Sequence, residues 1–334
     1  MLHRISRRSC ELYWGEAWLS LFRALEARSL ATELIRILRT LGTIQLLDAG
    51  SGDGRFYDLL SYAVDNMAGQ PLMSTVNGFG LERGPNKSAG IRKRGSPLIP
   101  IRGDLRALPL HDGVMDVILC NSTLEHIGEM EIVLREFSRV LRPGGYLLIT
   151  VPSINFEHLL FRYRILCLIG EKTASRFAKN KSAQISHLHY LHPRIWAQHL
   201  ESSLLPMVSW RPIVPSAVVA WGDILSVVRD VGLGGGRLSL RRPGRRFADI
   251  PLRILRRVCI EAEHVIAHLS GCLVEREPME GVEGAYLIVA QRGWHEEAFA
   301  SARSSVVNES RRILPQMIAA DLVVADAEES ASHS

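Results

Sequence analysis

The sequence predicts an α/β fold in which seven short strands form one mostly parallel sheet with helices on both faces. Short, largely apolar runs recur between residues 44 and 214 and again near residue 285, and segments with helical periodicity separate several of them. Such alternation is typical of a parallel sheet that is covered on both sides. The chain has 334 residues, of which 47% are hydrophobic. This excludes wholesale disorder and a small disulfide-stapled scaffold.

The strand assignments rest on short apolar runs that are bounded by turn signals. Residues 44–49 are the strongest case, because the run contains a single acid, Asp48, and leads directly into a group of glycines. This pattern is typical of a buried parallel strand that enters a tight turn. The predicted strands are 44–49, 76–81, 98–101, 114–120, 146–151, 207–214 and 285–290.

Helical periodicity is clearest in two segments. Residues 10–42 carry apolar side chains mostly three or four positions apart, and Gly42 is suited to end the last turn. Residues 129–141 place six apolar side chains on one face, and the pattern stops at Pro143-Gly144-Gly145, the expected break between a helix and a strand. A further helix is predicted over residues 193–205.

The chain divides into five predicted parts. An N-terminal helical segment precedes the core, and a stretch within the core that ends in a histidine cluster is expected to fold over the sheet edge as a lid. An Arg-rich insertion with an amphipathic helix near residues 252–269 precedes the last strand, and a polar, partly disordered tail follows it. The bounds are 1–43, 44–214 with the lid at 154–192, 215–280, 281–293 and 294–334.

Composition disfavours several other classes of protein. No apolar run reaches the roughly 18–20 residues that span a bilayer, and the basic N-terminus lacks the apolar region of a signal peptide. The cysteines are scattered without a Cys-x-x-Cys pair, so neither a zinc site nor a disulfide framework is indicated. A reducing cytoplasm is the expected location. The five cysteines are Cys10, Cys120, Cys167, Cys259 and Cys272.

The positive charge of the chain is local. The formal net charge is +5, but residues 237–257 contain eight arginines and one acid, Asp249. That segment therefore carries +7, which leaves the rest of the chain at −2. A nucleic-acid binder usually spreads its positive charge over the face that meets the backbone. The patch is compatible with a phosphate, an anionic lipid surface or no ligand at all.

The central motif is the glycine turn Asp48-Ala49-Gly50-Ser51-Gly52-Asp53-Gly54. Its glycines let the backbone turn tightly and approach a ligand without an intervening Cβ atom. The spacing differs from the Gly-x-Gly-x-x-Gly of dinucleotide sites, and Asp48 and Asp53 would repel a pyrophosphate. These acids suit a ligand that carries an ammonium and a sulfonium group.

This turn resembles the first motif of the class I S-adenosylmethionine (SAM)-dependent methyltransferases, in particular of the subgroup similar to the ubiquinone/menaquinone-biosynthesis methyltransferases. Three further motifs follow in the family's order: Phe79-Gly80-Leu81-Glu82, Gly103-Asp104-Leu105, and the stretch from Asp116 to Gly145. The close match covers residues 44–153. The resemblance implies a Rossmann-like sheet with an antiparallel last strand, SAM as the cofactor, and methyl transfer as the activity.

The resemblance also implies the cofactor contacts. In the family, an acid at the end of the second strand binds both ribose hydroxyls, which points to Glu82. An acid after the third strand meets the adenine amino group, which points to Asp104. Asn121 lies where it would touch the methionine part of SAM or the substrate. The candidate cofactor-binding residues are Asp48, Gly50, Ser51, Gly52, Gly54, Glu82, Arg83, Asp104, Leu105 and Asn121.

The expected acceptor is a hydroxyl on a small molecule or on a lipid- or glycan-linked molecule. A hydroxyl nucleophile must lose its proton, and a histidine with a pKa near neutrality suits that task. The candidates are His187 and His189, and the alternative for each is packing of the lid. Glu125 and His126 are expected to orient the loop after the fourth strand. No carboxylate has convincing metal-ligand spacing with the histidines, so no metal site is predicted.

Two alternative functions stay open. One is a catalytically silent SAM-binding partner protein, and the other is an RNA-modifying methyltransferase that uses the Arg-rich patch. Methylation of nucleic-acid bases is disfavoured, because Asn121-Ser122-Thr123-Leu124 lacks the prolines and the aromatic residue of the motif by which base-methylating enzymes resemble one another. The segments 156–170 and 237–269, which are apolar with interleaved arginines, are candidates for peripheral membrane contact. The alternatives for 156–170 and 252–269 are that they wall a pocket for a lipidic substrate or pack on the core as a cap.

Overall fold

Seven strands form one sheet within residues 1–13, 16–232 and 283–293, which are the residues that the computed structural model describes. The strands are β1 (Ile44–Ala49), β2 (Val76–Glu82), β3 (Ile99–Arg102), β4 (Met115–Asn121), β5 (Leu141–Pro152), β6 (Met207–Pro212) and β7 (Ala285–Gln291). Their order is β3-β2-β1-β4-β5-β7-β6. β7 runs antiparallel to both β5 and β6, and the other pairs are parallel. The predicted mostly parallel sheet with an antiparallel last strand is confirmed.

Nine helices lie in the described residues. They are α1 (Leu2–Leu12), α2 (Ala17–Leu41), α3 (Arg55–Ala68), α4 (Pro85–Arg94), α5 (Met130–Val140), α6 (Phe161–Ile169), α7 (Glu171–Ile185), α8 (Pro193–Ser202) and α9 (Ser216–Gly232). Short 3₁₀ helices cover Leu72–Thr75, Leu124–His126 and Phe156–Leu159. Among the described helices, none combines the length and the apolar character needed to cross a bilayer.

The prediction of one helix over residues 10–42 is wrong at its start. The segment contains two helices, and α1 begins far upstream, at Leu2. α1 buries Leu2, Ile5 and Cys10 but carries several arginines on its other face. Its buried positions 2, 5, 6, 9 and 10 have helical spacing, but Ser6 and Ser9 are among them, so the run of apolar side chains that would predict the helix is incomplete.

The Pro143-Gly144-Gly145 segment was expected to form a break before a strand at 146–151, and this prediction is also wrong. β5 begins at Leu141 and includes all three residues. Gly144 has a φ of +77°, which only glycine adopts easily, and its backbone N–H donates to the carbonyl oxygen of Arg292 at 2.8 Å. The pairing with β4 shifts register between Met115 and Val117. The irregular start of β5 therefore forms a bulge in the pairing with β4, and no loop separates it from the rest of the strand.

Helices cover both faces of the sheet. On one face, α2 buries Leu34 in the same cluster as Leu46 of β1. On the other face, α5 and α8 bury Phe137 and Trp196 in the cluster that contains Leu47. Successive residues of β1 thus enter opposite layers, as the pleat of a strand requires. Full burial of each such side chain contributes about 1.5–3 kcal/mol, which fixes β1 and the turn that follows it.

The strand order places a crevice beside β1. From β1 the chain moves outward to β2 and β3, and it then returns to β4 on the opposite side of β1. The connections leave the carboxyl ends of β1 and β4 in opposite directions, and ligands of open α/β sheets bind at such a switch point. The glycine turn follows β1 at this edge.

The segment 154–192 contains the 3₁₀ helix Phe156–Leu159, α6 and α7. At the start of α6, the backbone N–H and the Nε of Arg162 donate to the carboxylate of Asp223 on α9, at 2.9 and 3.0 Å. Asp223 is buried, so this ion pair fastens α6 to α9. The predicted Arg-rich segment 237–257, the helix near 252–269 and the tail at 294–334 lie outside the described residues.

Candidate functional site

The glycine turn after β1 folds back onto the end of β2. The backbone N–H groups of Gly50 and Ser51 both donate to the carbonyl oxygen of Leu81, at 2.9 and 3.1 Å. Gly50 has a φ of +83°, and a Cβ atom there would lie 2.6 Å from the Oγ1 of Thr123. Gly52 has a φ of +59°, and a Cβ atom there would meet no protein atom within 4 Å. The turn is therefore packed against Thr123 at Gly50, whereas it faces open space at Gly52.

Glu82, the last residue of β2, bridges the glycine turn and the loop after β2. Its Oε2 accepts a hydrogen bond from the backbone N–H of Gly52 at 3.2 Å, and its Oε1 accepts one from Gly84 at 3.3 Å. These bonds orient the carboxylate at the mouth of the crevice. An oriented carboxylate with two oxygens is suited to a vicinal diol, because each oxygen can accept one hydroxyl proton.

Asp48 lies beneath the turn rather than at the surface of the crevice. Its side chain is buried, and its Oδ2 has no hydrogen-bond partner. Burial, and secondarily the nearby charge of Glu82, raise the pKa of Asp48 to about 7. The site therefore holds a carboxyl group whose ionised form lacks a compensating positive charge. A cationic ligand would supply that charge.

Asp104 follows β3 and is paired with Arg106. Its Oδ1 accepts from the backbone N–H and the Nε of Arg106, at 2.9 and 3.0 Å, and its Oδ2 accepts from Nη2 at 2.8 Å. These hydrogen bonds lower the pKa of Asp104 to about 2. Asp104 is therefore ionised at neutral pH, and its oxygens are already engaged by a neighbour.

These elements surround a cavity of about 470 Å³ at the carboxyl edge of the sheet. The volume lies in the range of small-molecule sites. Five of the predicted cofactor-binding residues line the cavity, namely Gly50, Glu82, Arg83, Asp104 and Leu105. The loop after β4 lines it as well, with Ser122, Thr123, His126, Ile127, Gly128 and Glu129.

The other five predicted cofactor-binding residues lie around this wall. Asp48 and Ser51 are buried residues of the glycine turn, and Gly52 lies in the same turn. Gly54 has a left-handed backbone and precedes α3, where it serves as the N-cap. Asn121 ends β4, and its Oδ1 accepts a hydrogen bond from the Oγ1 of Thr150 at 2.6 Å. All ten residues thus belong to β1, β2, β4 or the loops that follow the strands.

A buried ion pair below the cavity was missed by sequence reasoning. On α2, Nη1 of Arg23 donates to Glu26 Oε2 at 2.6 Å and to Ser122 Oγ at 2.7 Å. Ser122 Oγ in turn donates to Glu26 Oε1 at 3.0 Å. Ser122 has a φ of +45°, so this network supports a strained backbone at the cavity wall. The sequence signal was an Arg and a Glu three positions apart within a largely buried helix.

The predicted histidines lie where the segment after α7 docks on the loop after β4. Three hydrogen bonds join the two segments. The N–H of Leu188 donates to the carbonyl of Glu125 at 2.7 Å, Nδ1 of His126 donates to that of Ser186 at 2.9 Å, and Nε2 of His189 donates to that of Ile127 at 2.8 Å. His189 therefore anchors this segment beside the cavity.

His187 lies in a more specific environment. Its Nδ1 is 3.0 Å from the hydroxyl of Tyr190, and its ring centroid is 4.9 Å from that of His126. Burial, together with the nearby charges of His126 and Arg23, lowers the pKa of His187 to about 4. His187 is therefore neutral at pH 7, but by itself it is a weak base.

Glu125 was expected to have a structural role, and the structure gives it unusual surroundings. Its side chain is 1% exposed, and its Oε2 has no hydrogen-bond partner. Burial raises the pKa of Glu125 to about 8. Glu125, His126 and His187 offer three ligand atoms that all lie within 4.8 Å of one another. We name these three residues the Glu–His–His cluster.

Comparisons with known proteins agree with this geometry. Residues 47–149 match the family described as "Methyltransferase domain". A probable S-adenosylmethionine-dependent methyltransferase of Mycolicibacterium smegmatis is 32% identical over 109 residues, which are 32% of this chain and 38% of that protein. The malonyl-[acyl-carrier protein] O-methyltransferase of Xylella fastidiosa is 33% identical over 31% of this chain and 33% of that protein.

A third relative is the ubiquinone/menaquinone biosynthesis C-methyltransferase of an Enterobacter species. It is 26% identical over 136 residues, which are 39% of this chain and 53% of that protein. The chain thus spans between one third and about one half of the length of these relatives. The matched residues include the glycine turn, Glu82, Asp104 and the loop after β4. Residues 47–149 thus match the methyltransferase-domain family, and the same part of the chain is similar to proteins named as SAM-dependent methyltransferases.

Proposed function

We propose that this chain binds SAM in the cavity at the carboxyl edge of the sheet and transfers its methyl group to a hydroxyl of a small or lipid- or glycan-linked acceptor. The observation that carries the proposal is the pairing of Gly52, which faces open space, with Glu82, whose carboxylate is fixed beside it. Backbone and carboxylate together fit a nucleoside that must approach the turn closely.

The placement of the acids suits the distribution of charge on SAM. Glu82 is placed to accept the ribose hydroxyls, and Asp104 and Leu105 lie on the cavity wall where the adenine is expected. Asp48 carries the carboxyl group that lacks a positive partner. The ammonium and sulfonium groups of SAM would favour its ionised form.

In the proposed reaction, the acceptor oxygen attacks the methyl carbon of SAM in line with the carbon–sulfur bond. The new carbon–oxygen bond forms as the carbon–sulfur bond breaks, and S-adenosylhomocysteine leaves with the electron pair on sulfur. The main task of the protein is alignment of the two reactants, which supplies up to about 7–11 kcal/mol in favourable cases. The acceptor hydroxyl also has to lose its proton.

We propose that the Glu–His–His cluster promotes the loss of this proton. His126 belongs both to the cluster and to the cavity wall, so the cluster lies at the edge of the cavity. His187, one of the two predicted catalytic histidines, is a cluster member. His189 has a different role in this proposal, because its Nε2 is bonded to the carbonyl oxygen of Ile127. It positions the lid.

The lipid-linked form of the acceptor is supported by the outer surface of α6. Four large apolar side chains of α6 are exposed, and Leu168 and Ile169 are the most exposed, at 84% and 73%. Their spacing of four, three and one residues places them along one side of the helix. The neighbouring α7 carries Lys172, Arg176, Lys179 and Lys181. An apolar side beside basic residues fits contact with an anionic lipid surface. The exposed set is Phe161, Ile165, Leu168 and Ile169.

The function is tested by incubating the protein with methyl-labelled SAM and fractions of a bacterial extract. We expect label in a low-molecular-weight or lipid-extractable product, which mass spectrometry identifies together with the methylated atom. The Gly52→Arg variant gives the background. Label in RNA alone would support the RNA-modifying alternative, and binding of SAM without turnover in any fraction would support the silent partner protein.

The raised pKa of Asp48 predicts that SAM binds more tightly as the pH rises. Below pH 7 the free protein holds Asp48 largely protonated, and a cationic ligand must displace that proton. Affinity should therefore decrease by up to about tenfold per pH unit below 7 and level off above it. Calorimetry at pH 6 and pH 8 measures this dependence, and buffers of different ionisation enthalpy reveal the released proton.

The Asp48→Asn variant is the control for this dependence. It should bind SAM at least tenfold more weakly at pH 8, about 1.4 kcal/mol, and show little change between pH 6 and pH 8. Because the folded state binds the Asp48 proton more tightly than the unfolded state, this group makes the protein less stable as pH rises from 3.8 to about 7. The ligand-free variant should therefore melt higher than the wild type at pH 8. Equal pH dependence in both proteins would contradict the assignment.

A further inference from the structure

The Glu–His–His cluster combines two adjacent residues with a third that lies about sixty positions further along the sequence. Glu125 and His126 lie in the 3₁₀ helix after β4, and His187 lies beyond α7. The ligand atoms that they offer are all within 4.8 Å of one another. Ligand atoms at about 2.0–2.2 Å from one ion lie roughly 3.4 Å apart in a tetrahedral site. The separations are therefore within about 1.5 Å of ligand geometry.

We propose that Glu125, His126 and His187 bind one divalent transition-metal ion at the edge of the cavity. Two imidazoles and one carboxylate suit Zn²⁺, Co²⁺, Ni²⁺ or Fe²⁺, whereas Mg²⁺ and Ca²⁺ prefer oxygen ligands. Three protein ligands leave at least one position for a water molecule or a substrate oxygen.

The buried carboxylate is an independent observation that points to a cation. Glu125 is 1% exposed, yet its Oε2 has no hydrogen-bond partner. A buried polar atom without a partner costs about 1–3 kcal/mol. Arg23 is the charged group nearby that attracts Glu125, but its guanidinium is bonded to Glu26 and Ser122. A metal ion would complete the bonding of Oε2.

The histidines are oriented as metal ligands usually are. Nδ1 of His126 faces the carbonyl oxygen of Ser186, which only accepts, so this nitrogen carries the hydrogen and Nε2 keeps its lone pair. Nδ1 of His187 is bonded to the hydroxyl of Tyr190, which also lies 2.9 Å from the Oγ of Ser182. Metal-bound histidines typically have such a partner on the second nitrogen.

A metal ion at this position would also take part in the proposed methyl transfer. Only this catalytic role rests on the proposed function, and metal binding itself does not. His126 lines the cavity that is assigned to SAM. An acceptor hydroxyl bound to the ion would have a lowered pKa and would release its proton to bulk water near neutral pH, so the cluster would act through the ion and not as a free base. Binding of the metal itself is testable without any methyl transfer.

The test is titration of Co²⁺ into the chelator-treated full chain, followed by visible absorption. We expect a saturable absorption band at one Co²⁺ per chain, which Zn²⁺ displaces, and a higher melting temperature with Zn²⁺. The variants Glu125→Gln, His126→Ala and His187→Ala should each weaken binding by tenfold or more. His126→Ala keeps the test decisive if the substitution of the buried Glu125 prevents folding, because His126 is exposed.

His158→Ala is the matched control. His158 lies in the same lid and packs on Tyr163, with ring centroids 4.8 Å apart, outside the cluster. It should leave Co²⁺ binding unchanged. Absence of a saturable band, or equal binding by the cluster variants and the wild type, would overturn the site. SAM calorimetry on the metal-free protein separates the two proposals, because loss of the metal site alone leaves SAM binding intact.

Discussion

Gly52→Arg is expected to abolish measurable SAM binding while the protein stays folded. The space beyond Gly52 is open to 4 Å, and the proposal places the cofactor there. A long side chain would fill that space, and its positive charge would oppose a sulfonium ion. We expect the dissociation constant to rise at least a hundredfold, about 2.8 kcal/mol. Isothermal calorimetry measures the loss, and circular dichroism confirms the fold.

Gly69→Arg separates this effect from backbone strain. Gly69 ends α3 with a φ of +70°, and a Cβ atom there also meets nothing within 4 Å. Both substitutions place a non-glycine residue in the left-handed region, at a cost of roughly 1–2 kcal/mol. Both variants should therefore lose similar stability, but Gly69→Arg should keep its affinity for SAM. Normal SAM binding by Gly52→Arg would remove the cofactor site from the glycine turn.

The second large effect is expected for Glu82→Gln. The substitution keeps the length of the side chain but removes the charge that strengthens its bonds to ribose hydroxyls. Hydrogen bonds to charged groups contribute about 1.5–3 kcal/mol, so the affinity for SAM should decrease roughly ten- to a hundredfold. The loss should be much smaller for a ligand without the ribose hydroxyls, such as methionine, if that ligand binds measurably.

Glu82→Gln also tests the coupling of two acids. The charge of Glu82 contributes to the raised pKa of Asp48, so the variant should shift the pH dependence of SAM binding to lower pH. Glu131→Gln is the control, because Glu131 is half-exposed on α5 and pairs with His199. Such surface pairs contribute at most about 1 kcal/mol, and SAM binding should be unaffected. Unchanged affinity in Glu82→Gln would refute its role.

The residues that we propose to bind SAM could be predicted from the sequence because they follow strands. A run of apolar residues predicts each strand, and an acid or a glycine at its end predicts what meets the crevice. β1, β2 and β4 lie within one residue of their predicted bounds. Glu82 and Asp104 accordingly line one cavity. The burial of Asp48 could not be predicted in this way, because the sequence gives only its position in the turn.

The residues that we propose to act on the acceptor were much harder to predict from the sequence. His187 was proposed from its chemistry, whereas Glu125 and His126 were expected only to orient a loop, and no metal site was predicted. Their meeting depends on the docking of residues 186–189 onto residues 125–127, which the bond from Leu188 to Glu125 illustrates. The two segments are about sixty residues apart in the sequence, and side-chain periodicity does not predict contacts between segments so far apart.

By itself, the sequence determined the positions of most strands along the chain, the glycine turn and the acids at the strand ends. It could do so because parallel strands bring all their carboxyl ends to one edge, so local patterns suffice to place these residues together. Only the tertiary structure decided that Arg23 supports Ser122, that His189 holds the segment after α7 on the loop after β4, and that Glu125 lies near His187. These contacts arise from packing between distant segments, where burial and hydrogen bonding select the partners after the sheet has formed.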